Sequence, residues 1–379
     1  MRVAQITPLW EQVPPVGYGG TESVVSLLTE ELVRRGHHVT LFASGDSTTL
    51  AHLEAGCDRA LRSLGMLPPE YAQHETRQLV KAFDRADQFD VIHSHMDLAA
   101  LAYGERSLTP VVHTVHGILT AVTGKLFGQY HRENFVSISN SQRRDDLGLN
   151  YVATVYNAIA PNQFEFHPRP AAPPYLVFLG RMSMEKGPHL AIEIAKRSDW
   201  PLKMAGKIDF ENKTFFEQQV DPHIDGQQIQ FLGEVSQAEK KTLMGQATAT
   251  LFPITWPEPF GLVMTESMAC GTPVIAIAMG SAPEIVVDGH TGFLCHTVED
   301  CIEAVAKIPT ISRQDCRDHV AINFGVARMV DGYEAVYRQL IKERFSLGLR
   351  PTLKSDRTRP TDRPSDRQPW PPKPVATDP

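Results

Sequence analysis

The stretch Ala249–Ile277 reads ATLFPITWPEPFGLVMTESMACGTPVIAI. It opens and closes on short runs of strand-forming residues, Ala249–Phe252 and Val274–Ile277. Between them a loop carries Glu258, and Phe260–Gly261–Leu262 start a helix with Glu266 about two turns in. A strand, a helix and a second strand in this order are the repeating unit of a parallel sheet covered by helices. The first N–H groups of a helix lack intrahelical partners and can hold an anion. Carboxylates suit acceptance from paired hydroxyls of a sugar. Taken singly, Glu258 reads as a surface acid and Glu266 as an exposed helix residue. The acid-to-acid spacing, with Pro-Phe-Gly inside it, argues against that.

The same alternation extends in both directions. Upstream in this half, strand-like runs fall at Tyr175–Leu179, Leu202–Ala205 and Ile229–Leu232. Further upstream they recur at Val3–Thr7, His38–Ala43, Val91–His93, Val111–Val115 and Phe135–Ser139. The first of the intervening helices is expected over Thr21–Arg35, with Val24, Val25, Leu28 and Leu32 on one face and Gly36 as its stop. The pattern pauses at the Pro-rich FEFHPRPAAPP, Phe164–Pro174. The expectation is an α/β chain of two Rossmann-like, doubly wound domains facing across a cleft: 1–163, a linker at 164–174, and 175–325. A helix at 326–345, with Met329, Val330, Tyr333, Tyr337 and Leu340 in one stripe, is expected to pack back toward the first domain. Ligands in such sheets bind at the carboxyl ends of the strands.

Two further stretches sit where those ends are expected. GRMSMEKG, Gly180–Gly187, places Arg181 and Lys186 just after a strand. Two cations beside a Gly-rich turn suit a diphosphate, although isolated charges at a helix start are more often solvated. GYGGTES, Gly17–Ser23, opens the first helix. Gly19 and Gly20 let backbone N–H groups approach a ligand, and a flexible turn before a capped helix explains the stretch equally well.

Together, in this order and spacing, these stretches resemble the family-4 retaining glycosyltransferases of the GT-B fold, over nearly all of residues 1–345. Glu258…Glu266 matches the family's E-x7-E motif, GRMSMEKG its G-R-x4-K-G motif, and GYGGTE its amino-terminal Gly-rich loop. TPVIA with GSAPEIVVDGHTGFL, ending at Leu294, resembles the end of the family's donor domain. The resemblance implies a retaining hexosyltransferase that moves a sugar from a nucleoside-diphosphate sugar to an unidentified acceptor. UDP-glucose is the common donor of this kind. It implies that Arg181 and Lys186 bind the diphosphate, Glu258 the sugar hydroxyls, and Glu266 the nucleotide ribose. The backbone at Phe260, Gly261 and Leu262 would touch sugar and phosphate, and Gly19 and Gly20 would close from the other domain. HTVHG, His113–Gly117, resembles the segment whose last histidine lies near the reacting sugar, which makes His116 the candidate there. Such enzymes use the donor phosphate as the proton acceptor and need no protein nucleophile. No D-x-D motif is present, so neither a metal nor a further cofactor is expected. His93 and His95 are read as structural, since two residues make a weak metal site.

The match has departures. NAIAPNQF, Asn157–Phe164, carries Ala158 and Ala160 where the family has Gly and Asp, so its turn is altered. Met184 stands where many relatives have Pro. Two other functions share the fold: a nucleotide-sugar epimerase or hydrolase, and a non-catalytic sugar-nucleotide-binding protein.

Composition narrows the field. The 379 residues carry a net charge of -7, which argues against a nucleic-acid partner held by overall charge. Prolines outnumber glycines, 28 to 26, and they concentrate in 350–379, expected to be a disordered tail. Five cysteines without a C-x-x-C pair are expected to be reduced and mostly buried. RVAQIT at the start carries no signal-peptide pattern, and no apolar run is long enough to span a bilayer. The expected location is cytoplasmic, at most peripheral at a membrane. Lys125 and Arg132 around a helix at Thr120–His131, and the cluster Gln142–Arg144, are the candidates for weak membrane contact. Acceptor recognition is expected on the first domain, where Leu53–Glu75 carries Cys57, Arg59, Tyr71 and His74 without a readable code.

Overall fold

A computed structural model describes residues 1–17 and 19–346. The tail expectation for 350–379 lies outside them. The chain builds two parallel sheets. The first holds β1 (Arg2–Ile6), β2 (His38–Ser44), β3 (His52–Cys57), β4 (Val91–Ser94), β5 (Val111–Val115), β6 (Asn134–Ser137) and β7 (Tyr151–Thr154). Their order is β3-β2-β1-β4-β5-β6-β7. The second holds β8 (Leu176–Leu179), β9 (Leu202–Ala205), β10 (Ile229–Phe231), β11 (Ala249–Phe252), β12 (Val274–Ile277) and β13 (Gly292–Cys295), in the order β10-β9-β8-β11-β12-β13. The strand order reverses between β1 and β4 and again between β8 and β11. Each reversal opens a crevice at the carboxyl edge of its sheet.

The expected strands are all present, within a few residues at their ends. Three more appear: β3, β7 and β13. They lack the continuous β-branched run of the others because they flank the sheets and are less completely buried. β13 even begins on a glycine. Gly292 packs so closely on β12 that a Cβ there would collide with the Val274 carbonyl.

The first sheet is covered by α1 (Gly20–Arg34), α2 (Pro68–Phe83), α3 (Leu98–Gly104) and α4 (Ala121–Phe127). The second is covered by α5 (Pro188–Arg197), α6 (Lys213–Gln219), α7 (Gln237–Gln246), α8 (Leu262–Ala269), α9 (Ala282–Ile285), α10 (Val298–Lys307) and α11 (Arg313–Asn323). The last helix, α12 (Val326–Ser346), crosses to the first sheet. Its buried Met329, Val330, Tyr333, Val336, Tyr337 and Leu340 join Val3, Val24, Leu28 and Leu32 in one core. Each such large side chain contributes about 1.5–3 kcal/mol on burial. A polar clamp flanks that core: Glu334 accepts from His37 at 2.7 Å and from Arg338 at 2.7 Å, and Arg35 reaches Asp331 at 2.6 Å.

The chain crosses between the two sheets twice, and the crossings touch. Ile159 N–H donates to the Phe324 carbonyl at 3.0 Å. Ala158, where the family has Gly, packs against the α12 core. The Pro-rich segment after it is not a free spacer. Arg317 donates to the Phe164 carbonyl at 2.9 Å, and Arg313 to that of His167 at 2.6 Å. These bonds fasten it to the second sheet's helices. The five cysteines are free and buried.

Candidate active site

The carboxyl ends of β8 and β11 form one wall of the cleft. The loop after β8 presents Arg181 and Lys186, and the loop after β11 presents Trp256 and Glu258. Lys186 Nζ donates to Glu258 Oε2 and lies 4.9 Å from the centre of the Trp256 ring. The Trp256 indole N–H donates to the same carboxylate at 2.8 Å. Arg181 reaches Glu185 at 3.2 Å and Asp209 at 3.8 Å, while its Nε is buried without a partner among the described residues. The turn from this loop into α8 needs Gly261. Its φ is +76°, and a Cβ there would lie 2.9 Å from the Phe252 ring. Phe260 points its ring into the core, against Tyr156 and Phe324, so only its backbone faces the cleft. Glu266, farther along α8, is bonded to Lys240 of α7 at 2.7 Å.

The other wall is the first sheet. Gly20 begins α1, and a Cβ on it would sit 3.5 Å from Leu262 at the start of α8. The amino ends of two helices therefore converge across the cleft, each with unpaired N–H groups. Gly19 leaves no room for a side chain, since a Cβ would lie 2.7 Å from that of Pro15. Two further contacts join the walls. Gln237 donates to the Gly17 carbonyl at 2.7 Å. Glu284 of α9 accepts from the backbone of Asn140 at 2.8 Å and of Ser141 at 2.7 Å.

His116 follows β5 and sits at the end of a buried chain of hydrogen bonds. His116 Nε2 meets His95 Nδ1 at 2.8 Å, and His95 Nε2 meets Gln5 Oε1 at 2.9 Å. The Gln5 amide donates to the Tyr337 hydroxyl at 3.0 Å. That hydroxyl meets His93 Nδ1 at 2.7 Å, and His93 Nε2 meets Thr114 at 2.7 Å. Gln5 Oε1 can only accept, so His95 donates from Nε2 and accepts at Nδ1. His116 then donates from Nε2, which leaves its Nδ1 as an acceptor. Burial pushes the His116 imidazole down to about 4 and holds His93 and His95 well below the usual histidine range. All three are neutral near pH 7. The structural reading of His93 and His95 thus acquires a concrete form, orienting His116.

Sequence reading missed several groups at this edge. Glu22, one residue past the Gly-Gly-Thr, is 3% exposed, and burial pushes its carboxyl up to about 7. Asp97, in the loop after β4, holds φ at +45°, a conformation that costs a non-glycine residue about 1–3 kcal/mol. Burial pushes its carboxyl up to about 6, even though it accepts the His116 backbone N–H. The GYGGTE motif contains Glu22 but gave it no role, and no motif marked Asp97. The signal available for Asp97 was a carboxylate just past the end of a central strand.

Two expectations about the surface need correction. Gln142 is not part of a basic cluster: it is buried and donates to the Val115 and Gly117 carbonyls at 2.9 and 2.7 Å. Arg144 is spent on Asp146 at 2.7 Å, and Arg143 lies over the Tyr151 ring at 4.8 Å. Of the residues noted in Leu53–Glu75, Cys57 is buried and bonds the Arg59 carbonyl, while Tyr71 packs against Trp10. No helix among the described residues is long and apolar enough to cross a membrane.

A doubly wound pair of domains facing across a cleft is the GT-B fold. The chain belongs to the family-4 glycosyltransferases: the Glycosyltransferase Family 4 model matches residues 18–161, and the Glycosyl transferases group 1 model matches 160–321. A glycogen synthase of Mycobacterium tuberculosis is 26% identical over 347 residues, 78% of this chain and 82% of the relative. A phosphatidyl-myo-inositol mannosyltransferase of Mycobacterium leprae is 26% identical over 380 residues, 90% of this chain and 96% of the relative. Among solved structures, a sucrose-phosphate synthase from Thermosynechococcus elongatus superposes with a TM-score of 0.73 at 20% identity, covering 90% of this chain and 99% of that one. Anabaena HepE, solved in complex with UDP and glucose, gives 0.69 at 20% identity, covering 89% of this chain and all of that one, 100%.

Proposed function

We propose that this glycosyltransferase takes its sugar from a nucleoside-diphosphate hexose and transfers it with retention of anomeric configuration, without a metal. The observation that carries the reading is the convergence of Arg181, Lys186 and the amino ends of α1 and α8 on one cleft. A diphosphate there meets two cations and two sets of unpaired N–H groups. All of these are positioned before the reaction, where charge grows on the leaving group. Glu258 faces the donor sugar from the same loop, and Glu266 the ribose. The backbone of Phe260, Gly261 and Leu262 lies between them, and Gly19 and Gly20 cover the diphosphate from the opposite wall. In this account, each cation is held by a carboxylate until the diphosphate arrives: Lys186 by Glu258, Arg181 by Glu185 and Asp209.

His116 is neutral and offers Nδ1 as an acceptor, which suits orientation of a sugar hydroxyl rather than charge stabilisation. With that role for His116, the leaving phosphate takes the acceptor's proton on the face from which it departs. The complexes of HepE with UDP and with UDP-glucose make UDP-glucose the first donor to try. The test is a calorimetric screen of nucleoside-diphosphate sugars followed by hydrolysis and transfer assays on the tightest binder. Binding lost in Arg181→Ala supports the site. A panel in which no sugar nucleotide binds overturns it.

A further inference from the structure

The first-domain wall carries a second cluster, beside His116. Three elements meet there: the loop after β1, the loop after β4, and α2. Trp10 stands 36% exposed, a large aromatic face at the cleft side of a sheet edge. Tyr71 of α2 flanks it with ring centres 6.4 Å apart, and the Arg62 guanidinium lies 5.5 Å over the indole. Arg62 is committed to Glu11 at 3.2 Å. Glu75 of α2 is bonded to the Trp10 side chain and the Leu9 backbone, and α2 is tied to the end of β1 by Gln78, which donates to the Thr7 carbonyl at 2.8 Å.

Carboxyls gather around this platform, with Arg62 the cation beside it. Asp97 Oδ1 is buried and has no hydrogen-bond partner among the described residues. Glu22 is 3% exposed, and no side-chain partner is found for it among those residues. Burial raises Glu75 above the usual carboxylate range, as it does Asp97 and Glu22. Glu75 lies close enough to raise the charge cost of Asp97, and Glu22 feels Glu11 and Arg62. Glu75 and Glu22 already accept hydrogen bonds within the chain, so Asp97 Oδ1 is the acceptor that a ligand could complete.

The chemistry selects the ligand. An aromatic face takes the C–H side of a sugar ring, and carboxyls take its hydroxyls. A phosphate or carboxylate would meet like charge at Asp97, ionised near pH 7, while Arg62 is already held by Glu11. The cations that suit an anion, Arg181 and Lys186, sit on the opposite wall. We propose that Trp10, Glu75 and Asp97 form the acceptor subsite, and that it takes an uncharged polyhydroxylated ring, a glycoside, in preference to a phosphorylated or acidic acceptor. This rests on the glycosyltransferase reading above and adds the acceptor's chemical class to it.

The experiment has two arms. Saturation-transfer NMR on the full chain, with UDP present, compares methyl α-glucoside, methyl α-mannoside and maltose with glucose 6-phosphate and myo-inositol 1-phosphate. Uncharged glycosides are expected to bind and the phosphate esters to bind more weakly. Preference for the esters overturns the proposal. In the second arm, Glu75→Gln and Trp10→Ala are compared with wild type in transfer from the donor found above. The acceptor KM is expected to rise about tenfold, as for one lost hydrogen bond to a charged group, with little movement in the donor KM. Equal movement of both constants, or of neither, also overturns it. Should Trp10→Ala fail to fold, the isosteric Glu75→Gln still decides the case. Failure of the glycosyltransferase reading looks different. It would show as no donor turnover by wild type, while the NMR arm still reports on the subsite.

Discussion

Lys186 and Glu258 stand 72 positions apart in the chain and are joined as a partly buried ion pair beneath the Trp256 ring. The pair couples the loop after β8 to the loop after β11, so the cation and the acid of two separate motifs act as one unit. Lys186→Ala removes a preorganised positive charge from the diphosphate position. The expected outcome is a fall in kcat of about a hundredfold or more, measured by steady-state donor hydrolysis and transfer. Near-normal kcat would remove Lys186 from that role.

Glu266 and Lys240 form a second pair, at 2.7 Å, on α8 and α7. A ribose contact acts before the chemical step, so Glu266→Ala is expected to weaken nucleotide binding about tenfold, or ~1.4 kcal/mol. Titration of UDP by calorimetry checks it. An unchanged Kd would show that Glu266 serves only Lys240.

Tyr337 ties α12 to the chain of hydrogen bonds that ends at His116. Tyr337→Phe leaves the Gln5 amide and His93 Nδ1 buried without their partner. Denaturant unfolding is expected to show a loss of about 1–3 kcal/mol. A loss under about half a kcal/mol would mean the bond is not needed to fasten the helix.

Glu22 makes stability depend on pH. Its carboxyl is raised from 4.5 to about 7, so the folded protein keeps the proton between those values while the unfolded chain has released it. Stability therefore falls as pH rises through that window, by roughly 3 kcal/mol in all. Asp97, raised to about 6, adds in the same direction. His116 acts on the other side: held down to about 4, it costs stability as pH drops from 6.5 toward 4. Melting curves from pH 5 to pH 8 should be flatter for Glu22→Gln than for wild type. Equal slopes would contradict the burial argument.

Much of the architecture is legible in the sequence because parallel strands buried on both faces write themselves as short apolar runs, as at Val111–Val115 and Val274–Ile277. β3 and β7 are less legible because their half-covered faces tolerate His52, Glu54 and Tyr151. The second-domain candidates are also legible: Arg181, Lys186, Glu258 and Glu266 keep fixed spacings along one wall. The first-domain side is not. Trp10, Glu75, Asp97 and Glu22 come from different loops and helices, and only folding gathers them. The bonds that orient His116 run from β1 through β4 to α12, with no short-range pattern to reveal them.

The central claim is that this chain retains configuration while moving a hexose from a nucleoside diphosphate. Proton NMR of the anomeric signals during turnover of the tightest-binding sugar nucleotide tests it most directly. The account predicts that the first-formed product, glycoside or released sugar, carries the donor's own anomeric configuration. A first-formed product of opposite configuration would contradict it.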